Sequence, residues 1–247
     1  MSDGKAGVER CPRCGATCAP SHKFCAECGR FLRDEFLDQR LLLALTCERE
    51  GRNDAARQEL ERILEADPGH VLANHLLGSL YFHQGVLEVA IRHYRQAVAA
   101  APKFILAHYD LGVAWYHAGN MLEAIRAFRR CLEIDPRYNA AHYRLALALF
   151  HAGHLEEALK QFEESIILTP EYLMAHYHMG VIHERRGEME AAERAFAYSE
   201  DQALGEVSSL FHLAVVRQAQ GDAAGALECL RRAHEFAPRE LSGTGRP

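Results

Sequence analysis

The chain has 247 residues, a formal net charge of −6 and 49% hydrophobic residues. This composition excludes a disordered polyelectrolyte and is enough to bury a sizeable core. No apolar run approaches the roughly 18 residues that suggest a membrane-spanning helix. The opening stretch MSDGKAGVERCPRCG has no apolar stretch of signal-peptide type, which points to the cytoplasm. The mild acidity speaks against a nucleic-acid surface spread over the whole chain.

Five of the eight cysteines fall between Cys11 and Cys28, while Cys47, Cys131 and Cys229 stand far apart. A disulfide framework would spread its pairs along a short secreted chain, so the clustering reads as one compact metal site plus isolated thiols. Cys11-Pro-Arg-Cys14-Gly15 and Cys25-Ala-Glu-Cys28-Gly29 are two CxxC knuckles, each followed by a glycine that permits a tight turn. Four thiolates suit one tetrahedral zinc ion, and no thioredoxin-like context favours a redox dithiol. Cys18 and His22 lie between the knuckles as spare residues. The segment resembles the short zinc-ribbon modules. The resemblance implies a structural zinc held by Cys11, Cys14, Cys25 and Cys28, with no open position for a reacting water. Residues 1–10 read as a disordered N-terminus, 11–29 as the ribbon and 30–36 as a linker.

Residues 10–33 carry Arg10, Arg13, Lys23, Arg30 and Arg33 against Glu27 alone, a surplus that a zinc–tetrathiolate centre would halve. That favours docking onto a protein or capping the next element, with Phe31, Leu32 and Phe36 as the covering residues. RNA or DNA contact is the alternative.

From Leu37 onward the chain is periodic. Pro68, Pro102, Pro136 and Pro170 recur at intervals of 34 residues, as do Gly51, Gly85, Gly119, Gly153, Gly187 and Gly221, and Ala56 through Ala226. Units starting at Leu37, Val71, Ile105, Asn139, Leu173 and Val207 fill 37–240, and 241–247 remain as a disordered tail. Each unit reads as two helices. In the third, His108, Leu111, Gly112 and Trp115 form one face of the first helix, and Leu122, Ala124, Ile125, Phe128, Cys131 and Leu132 one face of the second. The glycine between them accepts the positive φ of a helix C-cap, and the proline stops the second helix. Leu204 stands where a fifth such proline is expected, which predicts an irregular junction over 198–207. Gly225 falls within the last helix and should weaken it.

The period and these residues resemble the tetratricopeptide repeat family. The resemblance covers 37–240 and implies an all-α, right-handed superhelical solenoid of six helix-turn-helix repeats, with the first helices lining a concave groove. The fourth position departs from the family's Trp, holding Arg40, Asn74, His108, His142, His176 and Leu210. On the implied groove face the candidate partner-binding residues are Phe82, Tyr109, Tyr116, His117, Tyr143, Arg144, Phe150, His151 and Tyr177. The tyrosines at the fifth position also read as core-edge residues, whereas Phe82, Tyr116 and Phe150 at the twelfth are expected to be exposed. Large exposed apolar side chains mark an interaction site, so the predicted occupant is an amphipathic helix or extended peptide of a partner protein. A Lys/Asn/Arg clamp for a terminal carboxylate is absent. The histidine ladders at the fourth and thirteenth positions read as copies made by duplication rather than as a metal ladder. No phosphate loop, nucleophile elbow or acid–base pair is present, so a non-catalytic scaffold is expected.

Overall fold

The computed structural model describes residues 9–11, 14–19, 25–27, 39–170, 172–202 and 207–236. Cys28, the linker 30–36, the start of the first unit, Leu204 and the tail 241–247 lie outside the described residues. Within them are two short strands, β1 (Glu9–Arg10) and β2 (Thr17–Cys18), which pair antiparallel. Glu9 and Arg10, read from sequence as part of a disordered terminus, therefore belong to a hairpin.

The helices come in pairs: α1 (Gln39–Arg49) and α2 (Asn53–Ala66), α3 (Val71–His83) and α4 (Leu87–Ala100), α5 (Ile105–His117) and α6 (Met121–Ile134). Then follow α7 (Asn139–His151) and α8 (Leu155–Leu168), α9 (Leu173–Arg185) and α10 (Met189–Gln202), α11 (Val207–Ala219) and α12 (Ala223–Phe236). The chain forms two compact units, residues 1–141 and 142–247, divided within α7. In the first unit α1 packs on α2, α3 on α4 and α5 on α6, and α2 and α4 pack on the first helices that follow them. In the second unit α8 packs on α9, α10 joins α9 to α11, and α11 packs on α12.

Two local devices build every pair. The glycine after each first helix sits at positive φ, from +75° at Gly51 to +85° at Gly221, which closes the turn without a Cβ penalty. Inside the pair a small residue meets a large one. A Cβ on Gly78, Gly112 or Gly180 would come within 2.6–2.7 Å of the rings of Tyr94, Phe128 and Phe196 respectively, so the glycine is what lets the two helices close. Phe128, Phe162 and Phe196 are fully buried.

The apolar face read on α6 needs one correction. Ala124, Ile125, Phe128 and Cys131 are buried, but Leu122 is 61% exposed. It shares the solvent stripe of Arg126, Arg129 and Glu133, spaced four, seven and eleven residues on. Gly225 is likewise not interior. It is the third residue of α12, where its N–H donates to Asp222 Oδ1 at 2.9 Å in the helix N-cap.

Candidate functional site

The hairpin brings the cysteines together. Cys11 N–H donates to Ala16 O and Gly15 N–H to Cys11 O, both at 2.9 Å, with Gly15 at φ +70°. The Sγ atoms of Cys11, Cys14 and Cys25 all lie within 4.8 Å of one another, and Cys14 and Cys25 are 3.5 Å apart. A tetrahedral zinc with Zn–S bonds of about 2.3 Å would separate its sulfurs by roughly 3.8 Å, so the three thiols fit such an ion. Cys18 is buried beside Cys11 and Cys25, with its Sγ 3.5 Å from Ala16 O. Among the described residues no other cluster of cysteine, histidine or carboxylate side chains offers three ligand atoms within such reach. The module touches the helices through Glu27. Lys103 N–H donates to Glu27 O, and Lys103 Nζ lies 3.1 Å from Glu27 Oε2. The contact is thus with the turn between α4 and α5.

The histidines at the fourth position are structural where their partners are seen. Asn74 Nδ2 donates to Pro68 O, and His108 Nε2 donates to Pro102 O, each at 3.0 Å. In these two repeats the polar fourth residue ties the repeat-ending proline to the next first helix. Burial lowers the His108 and His176 pKa values. Burial, with Asp135 and Asp110 nearby, pushes the isolated Cys131 thiol up to about 12, so it is unreactive.

On the first-helix face of the first unit, Phe82 and Tyr116 are half-buried and His117 is exposed. The rings of Phe82 and His117 meet edge to face at 5.4 Å. Tyr109 packs on Tyr138 at 5.5 Å and on Phe128 at 5.9 Å, which is the core-edge role. In the second unit Tyr143 is buried against Tyr172 at 4.6 Å, Tyr177 leans on Phe196 at 5.9 Å, Arg144 is half-buried and His151 exposed. Phe150 is not exposed as its position predicted. It is 9% accessible, because the Arg185 guanidinium lies 4.6 Å above its ring and His178 is 6.1 Å away.

Sequence reading left out of its candidates two large apolar residues that are well exposed in the second unit. Phe211 and Val215 of α11 are 51% and 56% exposed. They occupy the fifth and ninth positions, so the same register was the available signal. It also missed polar pairs between neighbouring first helices: His75 Nε2 with Asp110 Oδ2 at 2.7 Å, and His212 Nδ1 with Glu184 Oε2 at 2.7 Å. Among the described residues no helix is long and apolar enough to cross a membrane.

The tetratricopeptide repeat family model matches residues 41–103, 75–139 and 143–206, and related models of that family match 116–167 and 207–232. The chain belongs to the tetratricopeptide repeat family. No curated protein matches it. Solved structures share its fold at low identity. MamA 41-end from Desulfovibrio magneticus RS-1 is 20% identical, with 71% of this chain and 97% of that one covered and a TM-score of 0.65. YrrB, a TPR protein with an unusual peptide-binding site, is 19% identical, with 74% and 94% covered and a TM-score of 0.64. PilW, a type IV pilus biogenesis factor, is 19% identical, with 85% and 98% covered and a TM-score of 0.67.

Proposed function

We propose that this tetratricopeptide protein is a non-catalytic scaffold whose first-helix face holds a peptide or helix of a partner protein. Its N-terminal segment is a zinc ribbon in which Cys28 completes the set of Cys11, Cys14 and Cys25. The observation that carries the reading is the large apolar side chains left accessible on the first-helix face of each unit. These are half-buried Phe82 and Tyr116 in one unit and exposed Phe211 and Val215 in the other. Aromatic side chains supply much contact area at low entropic cost. Peptide binding by YrrB supports the same use of the fold here. The zinc would contribute folding energy to a segment with almost no apolar core, and the Glu27–Lys103 contact supports docking against the helices. The cytoplasm, where free thiols stay reduced, is the proposed location.

The test is capture of the partner on the immobilised full chain. The comparison sets wild type beside Phe82→Ala/Tyr116→Ala, Phe211→Ser/Val215→Ser and Cys11→Ser. A protein retained by wild type and Cys11→Ser but lost with either face variant supports the scaffold. Retention unchanged by both face variants overturns it. Nuclease-sensitive capture lost only with Cys11→Ser would instead assign the ribbon to nucleic acid.

A further inference from the structure

A second site lies outside that face. Between α4 and the end of α5 the first unit contains an open cavity of about 770 Å³, walled by Ile91, Arg92 and Arg95 of α4 and by Trp115 and Asn120. An adjoining hollow of about 620 Å³ shares Arg95, Trp115 and Asn120. Such volumes are typical of ligand pockets. Trp115 is the only tryptophan in the chain, half-buried against the apolar cluster that includes Ile91 and Leu111.

The repeats themselves show what is missing here. Trp115 occupies the eleventh position of its repeat. At that position in the second repeat, Tyr81 Oη donates to Glu61 Oε1 of the preceding helix at 3.4 Å. Glu61 in turn lies 4.0 Å from Arg57, which binds Asp54 at 3.0 Å. In the sixth repeat, Arg217 Nε donates to Glu193 Oε1 of the preceding helix at 3.1 Å, and Gln220 Nε2 to Glu193 Oε2 at 3.2 Å. Both junctions are closed by an internal carboxylate. At the Trp115 junction both acidic positions have changed: Arg95 stands in the register of Glu61, and Ile91 in the register of Glu193. The exposed guanidiniums of Arg92 and Arg95 have no hydrogen-bond or ion-pair partner among the described residues. The nearby Glu123 is held by Arg126 at 2.5 Å.

We propose that this cavity docks an acidic peptide segment. A Glu or Asp carboxylate would bridge Arg92 and Arg95, taking the place of the carboxylate that the Tyr81 and Arg217 junctions supply internally, while a neighbouring apolar side chain would lie on the Trp115 indole and Ile91. Arginine recognises a carboxylate through parallel N–H donors, and the indole face offers apolar area. Glu88 on the cavity wall offsets part of the positive charge, so the site matches a monoanion rather than a polyphosphate. The site is independent of the groove proposal, and either can fail alone.

Trp115 is its own reporter. The full-length chain is titrated with acetyl-Glu-Leu-Phe-Glu-amide, with acetyl-Gln-Leu-Phe-Gln-amide and with ADP, following tryptophan fluorescence. The acidic peptide is expected to give a saturable change that weakens with added salt. The Gln peptide should bind at least tenfold more weakly. Arg95→Glu, which restores the residue type of the first repeat, and Arg92→Gln should each weaken the acidic peptide at least tenfold with helical circular dichroism unchanged. The proposal is overturned by equal response to the two peptides, by no saturable change up to millimolar peptide, by wild-type binding in both arginine variants, or by ADP saturating at lower concentration than the peptide.

Discussion

Replacing Gly112 by alanine sets two known effects against each other. Alanine is favoured over glycine in a helix interior by about 1 kcal/mol. Against this, the new Cβ would lie 2.6, 2.7 and 2.9 Å from Cε1, Cδ1 and Cζ of Phe128, whose side chain is fully buried. Ordinary carbon contact begins at about 3.5 Å, so the ring must withdraw by close to an ångström. It cannot do so freely, because Tyr109 packs on it with centroids 5.9 Å apart. Overpacking of that kind costs about 1–3 kcal/mol, so Gly112→Ala should destabilise by about 1 kcal/mol net. Phe128→Leu alone opens a small cavity and should cost about 1–2 kcal/mol. The two together should cost less than their sum, because Ala44 with Leu60 and Ala214 with Leu230 occupy the same two positions in the first and sixth repeats. A favourable coupling of about 1 kcal/mol is expected. Urea unfolding followed by Trp115 fluorescence reads it locally, since Trp115 lies on the same helix, which matters in repeat arrays that need not unfold as one unit. If Gly112→Ala gains the full helix-propensity increment, or if the two substitutions are additive, the close-approach argument is wrong.

Three other outcomes are expected. Asp222→Ala removes the side-chain acceptor for the Gly225 N–H and should lower stability by about 1 kcal/mol in thermal unfolding. Burial beside Phe162, with the charge of His151 adding to it, holds the His178 imidazole down at about 4. The unfolded chain takes up that proton near pH 6.5 and the folded chain does not, so stability should fall as the pH drops from about 6.5 to about 4. Solvent screening of the partly exposed ring limits the effect to about 1–2 kcal/mol; His178→Gln should flatten this slope, and an unchanged slope in urea titrations would assign it elsewhere. Metal analysis should find one zinc per chain, lost in Cys25→Ser, and chelation should remove it with the helical circular dichroism nearly intact; a chelator that melts the helices would show that the array depends on the ribbon.

The helical framework was legible because its determinants are local and repeated. A glycine that must take positive φ, a proline that cannot continue a helix and a small residue facing a large one recur with the period in most of the repeats. What escaped the sequence depends on partners distant along the chain. Phe150 occupies the same register as Phe82, yet Arg185 from α9 covers it and leaves it 9% accessible. Tyr143 was readable either as groove or as core, and only its contact with Tyr172 decides for the core. The Lys103–Glu27 contact joins a loop of the array to a segment without periodicity, so no pattern announced it.

The repeats also separate stacking from recognition. The glycine or alanine and the large residue it faces keep their character through all six units, because any failure there opens or overfills the core. The eleventh position and the acid-bearing positions that face it vary freely: Tyr81 with Glu61, Trp115 beside Arg95, Arg217 with Glu193. An internal carboxylate makes two of these junctions self-sufficient. Exchanging it for Arg95 leaves the third with two cations that have no ion-pair partner among the described residues, set around an indole, without disturbing the glycine–ring contact of Gly112 and Phe128 that holds α5 to α6. Substitution at these positions therefore changes the chemistry a junction presents while leaving its packing in place, and a repeat array can acquire a new ligand site without redesigning its core.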